Sequence, residues 1–284
     1  MRQPPRIRRV IVVVLDGVRP DAIAHFGMDH LRRLAMTGSA SLQARTVAPS
    51  VTTAAMTSLL TGVSPARHGI TSDRLFIPRV SSDIVPLPEA LGAAGYPSAA
   101  YMASVPSVFK GIAARIGRRL GFGTLHTGGT CAPDILMAAR HTIRTQRRGL
   151  ILMHWPDADD AGHAEGWMSD AYGTACRRLD ATLGLLAALA DVSDDPYTAL
   201  IALADHGGGG IAARDHESDH PLDTTIPLVI NGGAVASGEL LDARLLDVPA
   251  TVLRILGVDV PPSYEGRVLH EAFGSEPSAA AAVA

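Results

Sequence analysis

The stretch HWPDADDAGH, residues 154–163, sets Asp157, Asp159, Asp160 and His163 directly behind the apolar run Leu150–Met153. Two similar arrangements occur: Asp16-Gly17 follows Val10–Leu15, and Asp205-His206-Gly207 follows Thr198–Ala204. A fourth group, Asp215, His216, Asp219 and His220, stands shortly before an apolar run at Pro227. Carboxylates and imidazoles without cysteine suit zinc or another divalent ion. Taken singly, each group has a plainer reading: a turn at Asp16-Gly17, a helix cap at Asp205-His206, a solvated loop at 157–160. Their shared position behind buried runs argues for a metal site, because the loops beyond the carboxyl ends of parallel strands converge.

A nucleophile is offered by APSVTTAAMTSLLTG, residues 48–62. Pro49 and Ser50 interrupt the chain, and Thr52 or Thr53 then opens an alanine-rich helix. A hydroxyl there can simply cap the helix. The same place also presents unpaired backbone N–H groups and the positive end of the helix dipole, which suit a phosphoryl oxygen. A neighbouring metal would lower the hydroxyl pKa and make it an attacking alkoxide.

These groups need a rigid frame, and the alternation of apolar runs with helical patterns supplies one. Strands are expected at Val10–Leu15, Ala99–Met102, Leu150–His154, Thr198–Ala204 and Pro227–Ile230. Helices are expected at Asp29–Met36, Thr53–Leu60, Leu87–Ala94, Ala132–Arg147, Met168–Ala190 and Val248–Leu256. This is the pattern of an α/β fold with three α/β/α layers and a mostly parallel central sheet. Residues 1–284 read as a single catalytic domain. Within it, 71–130, rich in proline and then glycine, reads as a small lid or cap, and the alanine-rich tail 274–284 as disordered.

A chain of 284 residues that is 47% hydrophobic can bury a full core. With 25 basic against 28 acidic residues the net charge is −3, which gives no electrostatic basis for binding a nucleic acid polymer. Arg2, Arg6, Arg8 and Arg9, then Arg115, Arg118 and Arg119, then Arg140, Arg144, Arg147 and Arg148, read as a polar tail and solvated helix faces. Val10–Leu15 is too short for a signal-peptide core or a membrane span, so a soluble, cytoplasmic chain is expected. Cys131 and Cys176, widely separated, suggest neither a disulfide framework nor a cysteine metal site.

The ordered motifs, from VVVLDGVRPD through ADHGGGG to DHESDHPLDTTIPLVI, resemble the alkaline phosphatase superfamily, in particular its nucleotide pyrophosphatase/phosphodiesterase-like branch. The closing stretch LLDVPATVLRILGVDVPPSYEGRVL is similar to the last helix and turn of that superfamily. The resemblance implies two divalent metal ions, zinc with manganese as the alternative. Asp16, Asp205 and His206 would hold one ion together with the nucleophile. Asp159 and His163, matching D-x-x-G-H, would hold the other, with Asp157 outside the motif as a supporting or solvent-facing carboxylate. The family's spacing from a proline and to a Thr-Gly pair places the nucleophile at Thr52, given Pro49 and Thr61-Gly62. Its last histidine ligand matches His220 by the phosphomutase-type placement or His216 by the pyrophosphatase spacing, and His220 is preferred.

The implied activity is metal-dependent hydrolysis of a small-molecule phosphate mono- or diester, or a phosphonate, through a phosphothreonine. Sulfate ester hydrolysis, phosphomutase activity and non-catalytic metal or anion binding are the alternatives. Where the pyrophosphatase branch carries an asparagine shortly after its nucleophile, this chain has Ala55. Tyr101, Phe109, Trp155 and Trp167 are the aromatic candidates for a substrate wall, with Trp167 and Tyr101 preferred.

Overall fold

The computed structural model describes residues 7–72, 83–105 and 110–273. Phe109 and the 274–284 tail lie outside the described residues, as do 73–82 and 106–109 of the region read as a lid. Among the described residues, one sheet contains β1 (Arg9–Leu15), β2 (Ser39–Arg45), β3 (Ser98–Met102), β4 (Thr124–Thr127), β5 (Gly149–Trp155), β6 (Thr198–Leu203), β7 (Thr225–Asn231) and β8 (Gly238–Glu239). Their order is β4-β3-β5-β1-β6-β7-β2-β8. Neighbours run parallel except at β7, which is antiparallel to both β6 and β2.

β1 reads RVIVVVL and is buried at every position. Unbroken β-branched residues, rather than alternating ones, are what a central strand covered on both faces requires. β1 lies between β5 and β6, with Leu15 level with Trp155 and Val14 level with Leu203. That register makes the three strands end together, so the residues that follow each one emerge at the same edge.

The helices, in chain order, are α1 (Pro20–His25), α2 (Asp29–Thr37), α3 (Thr52–Thr61), α4 (Pro65–His68), α5 (Leu87–Ala93), α6 (Lys110–Arg119), α7 (Ala132–Thr145), α8 (Asp157–Glu165), α9 (Asp170–Ala190), α10 (Pro221–Thr224) and α11 (Asp247–Leu256). α2, α7, α8 and α9 pack together, with α7 on β3 and β5 and α2 on β7. A separate group, α3, α5 and α11, packs together on β1, β3 and β5. This is the three-layer α/β/α arrangement expected from the alternating pattern. No helix among the described residues is long and apolar enough to cross a membrane.

Three readings from sequence need revision. The region 71–130 is largely framework: it contributes β3 and β4 to the sheet and α5 to one of its faces. Strands β2, β4 and β8 carry too little apolar alternation to be seen, since SASLQAR, TLHT and GE are polar or very short. Finally, Arg9 is not part of a solvated tail but is 1% exposed.

Arg9 explains how the carboxyl ends of two helices can be buried against the start of the sheet. Its Nη1 donates to the carbonyl of Ile143 at 2.7 Å, and its Nη2 to that of Ala190 at 2.9 Å. Its Nε donates to Thr198 Oγ1 at 2.9 Å, and Asp195 lies 3.6 Å away. Ile143 belongs to the last turn of α7 and Ala190 ends α9, where carbonyls lack intrahelical partners. Arg9→Met should therefore leave several buried acceptors unpaired, at about 1–3 kcal/mol each. The expected result is a lower urea midpoint with an unchanged slope, and an unaltered midpoint would remove Arg9 from this role.

Candidate metal centre

Asp16 leaves β1 at the sheet edge, its N–H donating to the Trp155 carbonyl at 3.0 Å. Its own carbonyl accepts from the Asp159 N–H at 3.2 Å, tying the end of β1 to the first turn of α8. Gly17 makes this approach possible. Its φ is +69°, and a Cβ there would fall 3.0 Å from the Cα of Asp159. Asp205, fully buried, accepts from the N–H groups of Gly17 at 3.4 Å and His206 at 3.1 Å through Oδ1 alone. Its Oδ2 is left facing the same space as Asp16.

The D-x-x-G-H segment is helical, which the sequence reading treated only as a loop behind a strand. On α8, Asp159 and His163 are four residues apart and share one face. His163 Nε2 lies 3.5 Å from Asp159 Oδ1, and its Nδ1 lies 2.9 Å from the Arg214 carbonyl.

His206 approaches from the end of β6. Its Nδ1 is 2.9 Å from the Gly207 carbonyl, to which it must donate, so Nε2 is the nitrogen available as a ligand. That Nε2 lies 3.2 Å from Asp16 Oδ1, 3.8 Å from Asp205 Oδ2 and 3.0 Å from Thr52 Oγ1. His216 stacks on His206 with ring centroids 3.8 Å apart. Its Nδ1 donates to the Ser50 carbonyl at 2.6 Å, and its Nε2 stands 3.8 Å from Asp159 Oδ1. The Ser50 hydroxyl in turn donates to the His216 carbonyl, so this residue clamps the histidine from both sides.

Two sets of ligand atoms gather closely enough to hold an ion: Asp159, His206 and His216, and separately Asp16, His154 and Asp205. His216, rather than the preferred His220, is the histidine brought to this edge. His220 instead caps α10, its Nδ1 accepting the Leu222 N–H at 3.1 Å. The Pro221 that follows it starts a short helix, and the histidine is used at that turn.

Four atoms test whether cations fit. Asp16 Oδ1, Asp159 Oδ1, Asp205 Oδ2 and His154 Nε2 are buried and make no hydrogen bond, although all lie at the same edge. Buried acceptors without donors are costly, and carboxylates crowded together more so. Divalent ions would take these lone pairs and neutralise the charge, so the donor set fits them.

Without ions, protons must serve. Burial, then repulsion from Asp205 and Asp159, raises the Asp16 pKa well above the usual carboxylate range. Burial pushes Asp205 the same way but is outweighed by His206 and His154, which hold it below that range. Burial pulls both imidazoles down, yet Asp16 lifts His154 to about 10, and Asp205 with Asp16 lifts His206 to about 9. His216 moves down through burial and the neighbouring His206.

Other candidates settle elsewhere. Tyr101 is 5% exposed on β3, its hydroxyl 2.6 Å from Thr142 Oγ1, and Trp155 is fully buried, so neither forms a substrate wall. Trp167 is also buried. Its Nε1 donates to the Gly17 carbonyl at 2.9 Å, and its ring lies under His163 and His216, where it braces imidazoles. Asp157 is neither solvent-facing nor at the centre. It accepts the Ala132 N–H at 2.7 Å, at the start of α7, and pairs with Arg178. His154, at the end of an apolar run, and Ser50, after Pro49, carry no local sequence signal that sets them at this edge, where the structure brings both.

The imidazole shifts carry a sign. His154 and His206 bind a proton more tightly folded than unfolded, where an imidazole titrates near ~6.5. Their stabilising contribution in metal-free protein is whole below that pH and is lost as pH climbs to about 10 for His154 and about 9 for His206. The melting temperature of chelator-treated protein should therefore fall between pH 7 and 10, and added divalent ions should flatten the slope. Identical slopes with and without ions would contradict this.

Known proteins resemble this chain in sequence and in fold. The family model described as type I phosphodiesterase / nucleotide pyrophosphatase matches residues 10–86, and that described as metalloenzyme superfamily matches residues 124–260. Curated relatives include 2,3-bisphosphoglycerate-independent phosphoglycerate mutases from Paracoccus denitrificans, 32% identical over 42% of this chain, and Salinibacter ruber, 29% identical over 49%. The matched segment spans only 23% and 26% of those two proteins. Among solved structures, human ectonucleotide pyrophosphatase/phosphodiesterase 5 has a TM-score of 0.73 at 15% identity, covering 95% of this chain and all of that one. Its murine counterpart, solved as an inactive threonine-to-alanine form in complex with AMP, has a TM-score of 0.70 at 14% identity, covering 91% of this chain and 97% of that one. A 2-O GAG sulfatase has a TM-score of 0.75 at 12% identity, covering 96% of this chain and 75% of that one. Two consecutive family matches on one sheet, with carboxylates and imidazoles converging at its edge, make this chain similar to the type I phosphodiesterase / nucleotide pyrophosphatase and metalloenzyme superfamily families, on the fold shared by alkaline phosphatase superfamily structures.

Proposed function

We propose that the protein is a metal-dependent phosphoric ester hydrolase that works through a covalent phosphothreonine at Thr52. One observation carries the reading. Thr52 opens α3, yet its hydroxyl does not cap that helix: it lies 3.0 Å from His206 Nε2, beside the buried carboxylates. A threonine hydroxyl at a helix N-terminus beside ligand-type side chains supports reading Thr52 as the nucleophile rather than as a helix start.

In this reading Asp16, Asp205 and His206, with Thr52, hold one ion, and Asp159, His163 and His216 hold a second. Ions bound there, zinc or manganese, would supply charge neutralisation and a lowered pKa for the threonine hydroxyl. The hydroxyl loses its proton to solvent, and Oγ1 forms a bond to phosphorus as the bond to the leaving oxygen breaks on the opposite side. The first turn of α3 offers backbone N–H groups to the nonbridging oxygens. Water then attacks phosphorus, releasing phosphate or its monoester and restoring the hydroxyl. Ser50 keeps His216 in its tautomer by accepting from Nδ1. Ala55, buried and apolar, adds no side-chain donor to the phosphoryl group where the pyrophosphatase branch has an asparagine, which disfavours a nucleotide diester as substrate.

The substrate class is a small-molecule phosphate mono- or diester or a phosphonate. The inactive threonine-to-alanine form of the murine phosphodiesterase supports a threonine in this role. Sulfate ester hydrolysis is disfavoured because TTAAM lacks the proline and arginine that accompany a sulfatase nucleophile. Phosphomutase activity is the second reading, favoured by the curated relatives. It differs in keeping the phosphoryl group on an organic acceptor rather than releasing it. Both cysteines are free thiols, in keeping with a reducing, cytoplasmic setting.

Thr52→Ala should retain its metals and lose about a thousandfold or more of kcat, as removal of a covalent nucleophile does. Turnover on aryl phosphate monoester, diester, phosphonate and sulfate substrates, with peptide mass spectrometry of trapped enzyme, reads this out. Near-normal turnover by the variant, or a phosphoryl group on another residue, would overturn the mechanism. Phosphate recovered on an added alcohol in place of free phosphate would favour the mutase reading. Elemental analysis should show His216→Ala short of about one ion, as loss of one protein ligand from a small ligand set implies, with His220→Ala unchanged. The reverse result would restore His220.

A further inference from the structure

We infer that His154, which lies outside the D-x-x-G-H motif, is a direct ligand of the ion held at Asp16 and Asp205. The inference rests on the metal centre proposed above and enlarges its ligand set. His154 is the penultimate residue of β5, paired in register with Val14 of β1. Its neighbour Trp155 is level with Leu15, so the imidazole sits one step inside the sheet edge from which Asp16 emerges. The side chain is 13% exposed, enough to face the site and too little to be a solvated imidazole.

The distances are those of ligands around one ion. His154 Nε2 stands 3.0 Å from Asp16 Oδ2 and 3.9 Å from Asp205 Oδ2. Two atoms each about 2.0–2.1 Å from a tetrahedral zinc are about 3.3 Å apart, so the observed separations bracket a shared centre. His206 reaches the same two carboxylates from the other oxygen of Asp16, at 3.2 Å from Oδ1 and 3.8 Å from Asp205 Oδ2. The two imidazoles thus flank Asp16, one on each oxygen.

Apart from the ion-pair contact with Asp16, His154 Nε2 makes no well-formed hydrogen bond, and Asp205 Oδ2 makes none, although both atoms are buried and Asp205 is wholly enclosed. Together with Asp16 they form a ligand group that does not need Thr52. His154 would add a second imidazole to the Asp16, Asp205 and His206 set, so that four protein ligands besides Thr52 would be available to an ion there.

The test uses full-length protein loaded with cadmium as a spin-active probe and labelled with nitrogen-15 at histidine. Metal-to-nitrogen coupling is expected at His154 Nε2 as well as at His206, His163 and His216, with the His154 signal assigned by its loss in His154→Gln. In chelator competition, His154→Gln should weaken one cadmium site about tenfold or more, since even supporting groups around a metal cost about 10–100-fold. The other site should be unchanged. Circular dichroism and the melt of metal-free protein establish that the variant folds, and the wild-type coupling stands independently of it. Coupling at the other histidines but not at His154, or unchanged affinity in a folded His154→Gln, would overturn this inference and leave the metal centre intact. Coupling at no histidine would overturn the metal centre itself.

Discussion

The architecture is organised around an electrostatic cost. Asp16, Asp159 and Asp205 bring carboxylates together at one sheet edge, where Asp16 and Asp205 are almost or wholly removed from water. A chain folds this way only if something else makes the cluster tolerable. Here imidazoles stand beside the carboxylates, and several ligand atoms are left without hydrogen bonds, available to cations. A large apolar core that includes β1, β5 and β6 holds these residues in place.

Strand register turns that rigidity into chemistry. Because Leu15 is level with Trp155 and Val14 with Leu203, the residues after β1, β5 and β6 arrive at one place without long connecting loops. Gly17 lets α8 pack against the end of β1, and that contact, rather than any loop, sets the position of Asp159. At the opposite end of the same strands, Arg9 gathers the carboxyl ends of α7 and α9. The two ends differ: at one the layers are held together, and at the other the carboxylates and imidazoles gather.

The neighbours in structure include phosphodiesterases and a sulfatase, all on one fold with very low identity. A shared fold does not fix a reaction, which depends on the side chains at the site. At the sheet edge of this chain stand Thr52 at the opening of α3, a stacked His206 and His216, and His154 beside Asp16. The stacked imidazoles, each with Nδ1 committed to a backbone carbonyl, point their remaining nitrogens toward the carboxylates.

Much of this was legible in the amino-acid order. Continuous β-branched runs marked the central strands, helical periodicity marked the main covering helices, and acidic and imidazole residues placed behind the strands marked the reactive edge. Those signals are local, because burial on both faces and helical spacing leave their trace in consecutive residues. Polar or short edge strands left no such trace, and α8 was hidden because an acidic, glycine-containing segment has no apolar stripe. Choices between equivalent residue types were also out of reach. His216 and His220 are four positions apart in one loop, and only the clamp by Ser50 against the cap on α10 separates them. Arg9 looked like its basic neighbours until two helix ends were seen to close over it. His154 looked like the end of a strand until β1 placed Asp16 beside its ring. In each case the deciding partner is distant along the chain and adjacent in space, so tertiary packing alone assigns the role.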